Sequence, residues 1–123
     1  DHPYHDATHD WDAIAEKERA ARDRLFGLLP APQDAELRAL WDEFEAAESA
    51  DARFAKALDR LQPILLNLLV GGGTWTEYDV TLDSVLARCG PTIAAASPRL
   101  WAEAEALIRA HFAEARTGDA PQA

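Results

Sequence analysis

Arg53-Phe54-Ala55-Lys56-Ala57-Leu58-Asp59-Arg60-Leu61-Gln62-Pro63 belongs to the most apolar helical pattern of the chain and sets one carboxylate in its middle. Phe54, Leu58, Leu61, Leu65 and Leu69 recur at helical spacing. They predict the buried stripe of a helix over about Ala50 to Val70, with Ser49 placed as its N-cap. Ala52, Ala55, Gln62 and Leu66 flank Asp59, and most of them are small or apolar. Pro63 has no amide hydrogen, so the carbonyl of Asp59 loses its helical partner and a bend is expected just after it. A carboxylate in a buried helix costs stability unless something pairs with it, and a metal ion is one such partner.

Upstream, the apolar positions Ile14, Ala21, Leu25 and Leu28 predict a helix from about Trp11 to Leu29, capped by Asp10 and ended by Pro30 and Pro32. A second helix is predicted from about Gln33 to Glu48, with Leu37, Leu40, Trp41, Phe44 and Ala47 on its inner stripe and acids outside. Downstream, Gly71-Gly72-Gly73 stops the central helix, and Thr74 to Tyr78 reads as a loop carrying Trp75. Asp79 or Thr81 opens a short helix through Arg88, closed by Gly90 and Pro91. Ser97-Pro98 then starts a last helix, to about Arg116, which buries Leu100, Ala104, Leu107, Ile108 and His111. No segment alternates with period two, so no sheet is expected. The fold class is all-α, a bundle of about five helices.

With 123 residues and 48% apolar content, the chain can form one domain with a real core, residues 1–123, followed by a mobile tail over 117–123. A net charge of −10, from 12 basic and 22 acidic side chains, argues against binding a nucleic acid polymer through its backbone. The longest apolar run, Pro63 to Val70, is interrupted by Asn67 and falls far short of the ~20 residues that cross a bilayer, so no membrane partner is expected. A single cysteine, Cys89, excludes a disulfide within the chain, and no secretory pattern opens the sequence. Both features favour the cytosol.

Chemistry has few places to reside. The histidine-rich start, with His2, His5-Asp6 and His9-Asp10, would bring His5 and His9 to one face if it were helical, but a solvated polar loop is the expected reading. By spacing alone Asp59 reads as a solvated helix acid paired with Lys56 or Arg60, and its apolar flank and Pro63 are what favour a ligand instead. The glycine run lacks the lysine and hydroxyl residue of a phosphate-cradling loop and reads as a connector, and core packing is the expected role of Trp75. Cys89 has no histidine near it in sequence and reads as a buried small residue.

Leu25-Phe26-Gly27-Leu28-Leu29-Pro30, then Leu40-Trp41-Asp42-Glu43-Phe44-Glu45, then Phe54 to Pro63 together resemble the HD-domain metal-dependent phosphohydrolases, in particular the branch containing bacterial 5′-deoxynucleotidases. The similarity runs from Asp1 to about His111, and Lys56-x-x-Asp59 ahead of an apolar helix is its most specific part. The resemblance implies an HD-domain-like all-α fold and a divalent metal cation held by a histidine, a His-Asp doublet and a later aspartate, which Asp59 matches. It implies that Asp1, in Asp1-His2-Pro3, helps orient the attacking water, and that Lys56 is the one nearby cation able to approach a substrate phosphate. His5-Asp6 and His9-Asp10 stand about fifty residues before Asp59 and after the Asp-x-Pro element. That is too close to Asp59, and on the wrong side of Asp1, for the implied doublet, so both are read as loop residues.

On this alignment the remaining ligands and the first helices are expected ahead of residue 1, and apolar surface is expected to lie uncovered. The implied activity is hydrolysis of a small phosphorylated substrate, such as a nucleotide. The rival reading is a non-enzymatic helical module whose apolar face binds a partner helix or, as a homodimer, its own copy.

Overall fold

The computed structural model describes residues 10–118. All regular structure among them is helical, in the order α1 (Trp11–Phe26), α2 (Gln33–Ala46), α3 (Ala50–Leu69), α4 (Thr74–Glu77), α5 (Leu82–Ala96) and α6 (Pro98–Gly118). The chain divides into two compact units, the first through Ala52 and the second from Arg53.

In the first unit, Asp10 caps α1 by accepting a hydrogen bond from the Ala13 amide at 3.1 Å. The chain then turns, and α2 folds back on α1. Their pairing is largely electrostatic. The Arg22 guanidinium pairs with Asp42 and stands 4.7 Å over the Trp41 ring, while Arg38 donates both to the Asp23 carboxylate and, at 3.1 Å, to its backbone carbonyl. The hydrogen bond from Arg22, reinforced by the charges of Arg22 and Arg38, holds the Asp23 carboxyl below the usual carboxylate range. The expected apolar stripe is only partly realised. Trp41, Phe44 and Ala47 are half-buried, but Leu37 and Leu40 are exposed, as are Leu25 and Leu28. Two helices alone cannot enclose a core, and no residue of α1 or α2 is fully buried.

The second unit has the core. Ser49 caps α3 as predicted, its hydroxyl accepting from the Ala52 amide at 3.0 Å. The helix runs through Pro63 without ending. Pro63 is itself exposed, so the unpaired Asp59 carbonyl falls where water can meet it. The buried positions of α3 are Ala52, Ala57, Ile64 and Asn67, with Arg60, Leu61 and Leu68 half-buried. The predicted stripe was therefore assigned to the wrong side of the helix. Phe54, Leu58, Leu65 and Leu69 are exposed, because the apolar arc of α3 is wide and periodicity does not say which part of it faces the core.

The glycine run is a determined turn rather than a loose connector. Gly71 donates to the Leu68 carbonyl and Gly72 to that of Asn67, the paired bonds of a Schellman motif, with Gly71 in the left-handed region at φ 75°. The Asn67 side-chain oxygen accepts from the Thr74 amide at 3.1 Å and the Thr74 hydroxyl at 3.2 Å. This latch winds Thr74 onward into the one-turn helix α4, where a loop was expected. It delivers Trp75 into the core against His111 and Phe112, with ring centroids 5.5 Å away in each case. Core packing is thus the role of Trp75.

α5 does not stop at Gly90-Pro91. Thr81 caps it, and it continues to Ala96. Gly90 serves as a close-approach point, since a Cβ there would stand 2.9 Å from the Trp101 indole of α6. α5 and α6 fold back on each other at Ser97, whose hydroxyl caps α6 at the Leu100 amide. Val85, Cys89 and Ile93 of α5 and Ala104 and Ile108 of α6 form the buried seam. Each fully buried isoleucine contributes on the order of 1.5–3 kcal/mol. Leu107, expected inside, is exposed, while Leu100 and His111 are half-buried.

Candidate functional site

α3 carries the candidate site. Asp59 stands one helical turn beyond Lys56, and an (i, i+3) pair shares a face. Asp59 is exposed, which corrects the expectation of a carboxylate inside a buried helix. Phe54, Leu58, Leu65 and Leu66 are all roughly half open to solvent, and Leu69 is 81% exposed. Of these, Leu66 shares the side of Asp59, and the others form a separate exposed apolar stripe of α3. Lys56 is half-buried and already has a partner. Arg60, on the other side of the helix, approaches Cys89 closely enough for its charge to act on the thiol. It therefore belongs to the core side.

Asp1 and the histidines at 2, 5 and 9 lie outside the described residues. Among the described residues, no three histidine, cysteine or acidic side chains gather so as to hold a metal ion. Asp59 is a single carboxylate, and one carboxylate does not make a divalent-cation site. The described residues therefore do not fit a complete metal site. Cys89 is buried and free, and burial pushes its thiol pKa up, opposed by Arg60 and Arg88. That is the reverse of what a nucleophile needs. No helix among the described residues is long and apolar enough to cross a membrane.

The HD domain family model matches residues 1–101. The chain belongs to the HD-domain family. The all-α architecture is accordingly an HD-domain fold. It superimposes with a TM-score of 0.80, at 49% sequence identity, on the crystal structure of a predicted metal-dependent phosphohydrolase from Magnetospirillum magnetotacticum MS-1, over 91% of this chain and 55% of that one. Two curated relatives, the 5′-deoxynucleotidases HDDC2 of Bos taurus and Xenopus laevis, are each 43% identical over 49 residues, which is 40% of this chain and 24% of theirs. The matched part thus spans about half the length of the solved neighbour and about a quarter of each nucleotidase.

The sequence reading singled out Asp59, but treated Asn67 only as an interruption of an apolar run. The signal of Asn67 was available: a single amide in that run, about one turn before three glycines, where a free helix end needs an acceptor for the next amide.

Proposed function

We propose that this HD domain serves a divalent-metal-dependent phosphohydrolase of the cytosol, acting on a small phosphorylated substrate with nucleotides as the leading class. The observation that carries the reading is the 49% identity with a predicted metal-dependent phosphohydrolase across 91% of the chain, in the same fold. The deoxynucleotidase relatives support the nucleotide class.

In this reading Asp59 is one anionic ligand of the cation. The other ligands come from outside the described residues. The cation, when bound, neutralises phosphoryl charge. Ala52, Ala55 and Leu66, on the side of Asp59, lower the local dielectric once that face is covered, which strengthens the attraction of its carboxylate for a cation. Asp1 orients the attacking water, and Lys56, on the face of Asp59, contributes a substrate-phosphate contact.

The test uses the protein carrying this chain. Metal content by plasma mass spectrometry and phosphate release from nucleoside 5′-monophosphates are compared with the Asp59→Asn variant. The variant is expected to lose tightly held metal and turnover while its far-ultraviolet circular dichroism is unchanged. Full metal occupancy and turnover in the variant would remove Asp59 from the site. Asp1→Asn should lower kcat with metal content kept. Lys56→Ala should raise KM, and Lys56→Arg should partly restore it.

A further inference from the structure

No further inference is drawn: the strongest candidate, the exposed apolar stripe of α3 formed by Phe54, Leu58, Leu65 and Leu69, has nothing in the structure to show what covers it.

Discussion

α3 and α6 are the two longest helices of the chain, 20 and 21 residues, and both carry apolar residues at helical spacing, yet they use them differently. On α6 Ala104 and Ile108 go to the seam with α5, Ile108 to complete burial. α3 has a polar side carrying Asp51, Lys56, Asp59 and Gln62 and a wide apolar side, only part of which faces the core. Ala57 and Ile64 are buried, while Phe54, Leu58, Leu65, Leu66 and Leu69 stay open. The exposed apolar stripe of α3 is what packing among the described residues leaves unaccounted for. α6 is explained by packing alone; α3 is not.

The comparison breaks most readily by truncation. Ile108→Ala should destabilise by about 2–5 kcal/mol, through lost burial and the cavity left behind. Leu58→Ala and Leu69→Ala should each stay within about 0.5 kcal/mol in the 123-residue chain, because exposed positions tolerate change. Denaturant titration measures all three. Equal losses at Leu58 and Ile108 would mean that the outer surface of α3 is covered in solution.

Gly90→Ala sharpens the α5–α6 side. The new methyl meets the Trp101 indole, and a loss of about 1–3 kcal/mol is expected from overpacking, read from the thermal midpoint. A neutral result would show that the two helices approach less closely than the structure has them.

Asn67→Ala tests how the far end of α3 is held. Removing the acceptor shared by the Thr74 amide and hydroxyl should cost about 1 kcal/mol and speed hydrogen exchange at the Thr74 amide. Unchanged exchange would dismiss the latch.

The smallest effect concerns the α1–α2 pair. Asp23 titrates below its ordinary value of 3.8, with its hydrogen bond from Arg22 as the leading cause. The sign follows from linkage. A lowered folded-state pKa gives stability that is fully present above the unfolded value and lost as pH falls through the folded one. Because Asp23 is solvent-exposed, the stability change should be slight, and the NMR titration is the better readout. Arg22→Ala should move that titration upward, and an unmoved curve would dissolve the pairing.

Much of this was legible in the sequence, and the gaps have physical causes. Caps announced themselves: Asp10, Ser49, Thr81 and Ser97 each accept a bond from the first turn they precede, because those side chains suit an unsatisfied helix start. Two punctuation marks misled. Gly90-Pro91 resembles a stop, but the missing side chain admits Trp101, a tertiary fact with no local signature. The three glycines resemble slack, but their positive φ values and the Asn67 acceptor make a fixed turn. The larger misreading, the orientation of α3, arose because its apolar arc is wide and periodicity does not say which part of it faces the core. Asp59 drew notice through Pro63 and through the resemblance, and its role as a ligand belongs to the proposed function.

The most direct test of Asp59 as a metal ligand is paramagnetic broadening by Mn²⁺ in the protein carrying this chain, followed in two-dimensional amide spectra. The account predicts that signals from about Ala55 to Pro63's neighbours on α3 vanish first at substoichiometric ion, and that Asp59→Asn abolishes the effect. Broadening that spares α3 and centres on the histidines at 2, 5 and 9, or that is unchanged in Asp59→Asn, would contradict it.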